Sequence, residues 1–291
     1  MIATEDSPRE VRRTALRHLR RTVRDVVVAA VIFILWQLSA GLFLLMPPRL
    51  AVFWLIVVAA LFLWCHAITE GWSTARGRAT ERVRPFPRPA WRWIAVLAPV
   101  MSTGALAMWM VITSLHLARD RPLPRQLVEY AERPGGTLVL VMVIAGMAPL
   151  LEEFAFRGWM QRPMERRFGA PAAIGVTSVL FALAHLEPGG IVIRVAGGMA
   201  LGYAVWATRS IWAGVALHVA WNAGVLAWGG LFPRFDPATR GPRLALPAAL
   251  AFAACVALYA WTAPRLRAAS RPKTAPLHPL PQEYPGSKGG W

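Results

Sequence analysis

Apolar runs of about 17 to 22 residues recur along this chain of 291 residues, and a helix of that length is what crosses a hydrocarbon core of ~30 Å. Eight such runs are legible: Val26–Met46, Leu50–Thr69, Trp93–Leu117, Thr137–Phe156, Ala170–Leu186, Ile191–Ala207, Ile211–Phe232 and Leu244–Thr262. Each is apolar on all sides, whereas a barrel strand would alternate apolar and polar over about ten residues. With 56% hydrophobic and only 16% charged residues, the chain is too apolar for an ordinary soluble domain. The expected fold class is therefore all-α: a polytopic integral membrane protein of about eight transmembrane helices, with the bilayer as its solvent.

The formal charge of +17 does not point to nucleic acid, because the arginines lie in connections and tails and form no folded basic module. They set orientation instead. Arg9, Arg12, Arg13, Arg17, Arg20, Arg21 and Arg24 precede the first run, and Arg76, Arg78, Arg82, Arg84, Arg88 and Arg92 follow the second. The connections Pro47–Arg49 and Glu187–Gly190 carry one arginine and none, as non-cytoplasmic turns should. Arg119–Arg133, with four arginines on a side expected to be non-cytoplasmic, runs weakly against this assignment. Both termini are expected in the cytoplasm, in what reads as a bacterial plasma membrane.

Three parts are expected: a basic cytoplasmic segment over 1–25, a membrane domain over 26–262, and a disordered tail over 263–291, where Pro276, Pro279, Pro281 and Pro285 break any helical pattern. Val26–Met46 is too long for a signal-peptide core and has no clear cleavage site, so it reads as a retained span. Cys65 and Cys255 fall inside predicted helices and suggest neither a disulfide framework nor a metal cluster.

Ionisable residues in a span cost ~2.5 to 3.5 kcal/mol each at a helix centre, so their placement carries information. They gather in the second half. Glu152 and Glu153 interrupt the fourth run, followed by Arg157; His185 ends the fifth; His218 and Asn222 lie in the seventh. Glu153 and Arg157, four apart with the acid first, share a helix face and can pair. Glu152 points about 100° away, which leaves it the candidate base, since a buried carboxylate without a full counter-charge can take a proton from water and return it. His218 and Asn222 share a face from which both could donate to an oxyanion, and His185 could orient the same water or bind a metal.

The plainer alternatives are a solvated Glu-Glu patch, histidines that only pack, and a His218/Asn222 pair that glues helices. Depth discriminates in part: Glu152 lies ~15 Å and His218 ~12 Å from the arginine-rich end, but His185 lies ~22 Å in. A fifth helix that begins outside the hydrocarbon, with Gln161–Phe168 as an interfacial segment, would reconcile them. Arg194 near a helix end reads mainly as a snorkelling cation, with Glu187 as the alternative partner. Gly198 and Gly202 read as a close-packing pair, and His66 and His116 as interface residues.

Two glutamates with arginine four later (Glu152, Glu153, Arg157), then Phe and His four apart (Phe181, His185), then His and Asn four apart (His218, Asn222) resemble the CPBP family. These are the CAAX protease and bacteriocin-processing membrane proteins, also called the ABI family. The likeness covers about Thr137 to Phe232, the core of the domain at 137–232. It implies an eight-helix intramembrane endopeptidase, glutamic or metallo-dependent, acting on a protein or peptide substrate. In that light Glu152 would activate water, His185 would assist, His218 and Asn222 would stabilise the oxyanion, and Glu153, Arg157 and Phe181 would support the site. Glu152, His185 and His218 could also supply ligands to a divalent metal such as zinc, although the HExxH arrangement is absent. The competing reading is a non-catalytic peptide-binding or immunity protein of the same fold.

Overall fold

The computed structural model describes residues 8–69, 82–115, 125–231 and 237–271. His116, most of the second basic connection and the tail from 272 onward lie outside the described residues.

Nine helices are described: α1 (Pro8–Gly41), α2 (Pro48–Thr69), α3 (Trp91–Ser114), α4 (Arg125–Ala131), α5 (Gly136–Phe168), α6 (Ala170–Ala184), α7 (Ile191–Thr208), α8 (Ile211–Leu231) and α9 (Pro237–Ala269). No strand occurs among the described residues. Six helices, α1, α2, α3, α5, α7 and α9, are long and apolar enough to cross a membrane, while α6 and α8 are shorter apolar helices. The 15 residues of α6 rise only ~22 Å, less than the hydrocarbon thickness. Leu38, Phe53 and Leu250, 65%, 68% and 63% exposed, face outward as apolar side chains in a lipid solvent do.

Contacts extend three helices beyond their apolar runs. The segment over 1–25 is helical from Pro8, continuous with the first span, and is tied down where Arg167 reaches Asp25 at 2.7 Å and donates to Thr22. The helix α9 continues to Ala269, so residues 263–269 are not disordered; Ala263 and Leu266 are buried and hold this last turn to the bundle. The fourth run does not stop at Phe156. It is one helix to Phe168, because Arg157, Met160, Gln161 and Met164 are all buried and continue its inward face. Gln161–Phe168 thus continues α5, and the chain turns only at Gly169, whose φ of +81° suits a residue without Cβ.

Within α5 the backbone widens twice into π-helix, over Met142–Met147 and Phe154–Gln161. Each stretch ends two residues before a proline, Pro149 and Pro163. A proline ring clashes with the carbonyl four residues back and supplies no N–H, and a shift to the wider register relieves both.

The helix α5 forms the axis of the bundle. On one flank Leu55, Phe62, Tyr130, Leu151, Phe154 and Ile211 pack together; on another, Ala29, Ala155, Phe156 and Phe181. A third cluster, Leu97, Leu201, Leu217 and Leu266, joins α3, α7, α8 and α9. Neither Cys65 nor Cys255 is in a disulfide.

Candidate active site

The site grows from the middle of α5. Glu152 and Glu153 stand between the two π stretches, 7% and 0% exposed. Arg157 is fully buried, with its Nε 3.4 Å from Glu153 Oε2, so the acid and base four residues apart meet on one face. Arg157 also donates from Nη2 to the carbonyl of Gly198 at 3.2 Å and lays its guanidinium 5.2 Å from the Phe181 ring centre. Three elements thus fix this one cation: α5 by charge, α7 by a carbonyl and α6 by an aromatic face.

His218 approaches from α8 and lies between the two carboxylates. Its Nδ1 is 3.0 Å from Glu153 Oε1 and its Nε2 is 3.7 Å from Glu152 Oε2. The close approach depends on Gly214, one turn earlier, where a Cβ would meet Glu153 Oε2 at 2.5 Å. The longer contact to Glu152 exceeds a direct hydrogen bond, yet both groups can reach one water beside them. Glu152 gains a further neighbour that the motifs did not indicate: Gln37 of α1 donates from Nε2 to Oε1 at 3.5 Å.

Asn222 does not touch the carboxylates. Its Nδ2 donates to the carbonyl of Ile144 at 2.7 Å. In the π register that carbonyl would be bonded by the N–H five residues on, but that residue is Pro149, which has none. The Asn222 amide fills the vacancy, and its second N–H is left to donate elsewhere.

His185 caps α6, is exposed, and donates from Nδ1 to the carbonyl of Phe181 at 2.8 Å. Its ring and that of His218 each lie edge-to-face against Phe181, at 4.9 and 5.7 Å between centres, so the Phe181 ring connects them. No group of three His, Cys, Asp or Glu able to hold a metal ion occurs among the described residues. His185 turns its Nδ1 to the Phe181 carbonyl, while both His218 nitrogens face glutamates.

Of the other polar residues, Arg194 forms an ion pair with Glu187 instead of simply snorkelling. Gly198 and Gly202 do allow close packing, and their carbonyls accept from Arg157 and Gln161. His66, near the end of α2, is buried beside Phe62 and Trp159, with each ring centre 4.5 Å away.

Residues 134–224 match the family model described as Rce1-like, type II CAAX prenyl endopeptidase. The matched stretch contains all three motifs and agrees with the resemblance that they carry. No curated protein and no solved structure matches the chain.

Proposed function

We propose that this protein is an intramembrane endopeptidase of the CAAX-protease type, cleaving a membrane-anchored, lipidated or peptide substrate with water activated by Glu152. The observation that carries this reading is His218 lying between Glu152 and Glu153 while Arg157 already compensates Glu153, all inside an apolar bundle. Glu153 has Arg157 on its own helix face, whereas Glu152 faces an imidazole 3.7 Å away, with one water able to bond both groups from beside them.

Glu152 takes a proton from that water as the water oxygen bonds to the scissile carbonyl carbon, whose π electrons move onto oxygen. The resulting oxyanion needs donors held in place beforehand, a role suited to the free N–H of Asn222 and to His218 carrying hydrogen on both nitrogens. As the tetrahedral intermediate collapses, the C–N bond breaks and protonated Glu152 gives its proton to the departing nitrogen. His185, exposed at the end of α6 beside Phe181, is assigned to the substrate chain and not to the water.

The test uses purified protein in liposomes with a farnesylated CAAX peptide and an unprenylated copy. Glu152→Gln and His218→Ala should retain the monodisperse elution of the wild type and lose about 10²- to 10⁴-fold in cleavage rate. Cleavage at the wild-type rate by both variants would overturn the reading.

A further inference from the structure

A groove of about 740 Å³ runs along the outside of the bundle between α3, α6, α7 and α9, within the ~300–1,000 Å³ of clefts that hold ligands. Met108, Ala196, Met199, Tyr203 and Phe252 are among its walls, and Arg267 stands at one end. Trp221 lines the groove on the side of the catalytic cluster: its ring lies 6.3 Å from that of His218, and Gly197 admits it so closely that a Cβ there would overlap it at 1.6 Å.

The chemistry changes at the Arg267 end. Arg267 lies over Trp206 at 4.2 Å, and Arg209 follows one turn later as the left-handed residue that ends α7. Arg84 is brought alongside because Ser210 donates to its carbonyl at 2.7 Å and the N–H of Ile211 donates to Arg82 O. All three arginines are exposed. Arg209 is held below the usual arginine range by the partial burial of its side chain and then by the charge of Arg82, against which Glu165 acts, and by those of Arg84 and Arg267. Among the described residues the carboxylate acting on Arg209 is Glu165, which is already held by Arg82. An apolar trough thus opens at a cluster of like charges with no carboxylate of its own.

We infer that the groove is a binding site for an anionic phospholipid, its phosphate on Arg209, Arg267 and Arg84 and an acyl chain lying in the trough beside Met199 and Tyr203. Charge complementarity selects the headgroup and a lipid-facing opening selects the chain, so a zwitterionic lipid satisfies only half of the site. The inference goes beyond the peptidase reading and does not depend on it.

The experiment is native mass spectrometry of the full chain, released from detergent after equilibration with equal amounts of phosphatidylglycerol and phosphatidylcholine. The wild type should retain phosphatidylglycerol preferentially. Each arginine is worth about fivefold, so Arg209→Gln with Arg267→Gln should lower retention roughly thirtyfold. Ala196→Phe, which fills the trough from an exposed position, should lower it with the arginines intact. Equal retention of both lipids, unchanged retention in the arginine variant, or unchanged retention in Ala196→Phe would each overturn the proposal. So would displacement of phosphatidylglycerol by neutral farnesyl-cysteine methyl ester, which would give the groove to a substrate anchor. Glu152→Gln should bind lipid as the wild type does, so a failed lipid site and a failed peptidase site give different results.

Discussion

At the scale of the residue, the deciding interaction is the buried pair Glu153–Arg157, both 0% exposed. Breaking such a pair leaves one charge uncompensated in a medium that solvates it poorly, at a cost of about 3–5 kcal/mol. Arg157→Met should therefore lower the melting temperature sharply, and the double variant Glu153→Gln/Arg157→Met should recover much of it without recovering cleavage. The pairing is legible from the sequence, because four residues on a helix fix the relative direction of two side chains. His218 between the carboxylates is not legible. Its place depends on how α8 is rotated and how near it comes, and Gly214 gives no sign of that role until the helices are side by side. His185 is the reverse case: its motif is plain, but a carbonyl four residues back takes its Nδ1 and no sequence rule selects between carbonyl, water and metal.

At the scale of the element, α5 does its positioning through its two π stretches. The wider turn keeps the buried Glu153, Arg157 and Gln161 and the inward-reaching Glu165, each four apart, on one side of the helix. An ideal α-helix gains about 40° over each such step and would carry the last of them toward lipid. Hydrogen-bond register is not written in hydropathy, so the fourth run reads as an ordinary span ending at Phe156, although Pro149 and Pro163 were the available signal. Pro149→Ala restores an N–H that competes for the Ile144 carbonyl and should release Asn222. Its expected signature is a fall in kcat of about 10-fold or more with KM little changed, as when a donor used only in the transition state is lost. Equal changes in both constants would argue against it.

At the scale of the whole molecule, the eight apolar helices were legible because each carries its own length signal, while their ends were not, because buried polar residues extend α5 and packing extends α9. The basic ends come together on one face. Arg82 and Glu165 form an ion pair there with both side chains under 10% exposed, Gln161 donates to the same carboxylate at 2.8 Å, and Trp212 donates to Val83 O at 2.6 Å. These contacts clamp the approach to α3 across the ends of α5 and α8. Arg82→Gln should speed proteolysis of the connection between α2 and α3 in proteoliposomes, and the exchange Arg82→Glu/Glu165→Arg should slow it again. An unchanged cleavage pattern in the single variant would show that the clamp holds without the ion pair.

The placement of Glu153 and Arg157 on a single helix bears on how the protein is made. A cation entering the bilayer alone must wait for a partner from a later segment, and the chain is exposed to misinsertion in the interval. Here the counter-ion travels one turn away on the same helix, so the Arg157 charge is already compensated when α5 leaves the insertion machinery. The later docking of α8 then adds His218 to a pair that has formed, and synthesis order and charge balance run in the same direction.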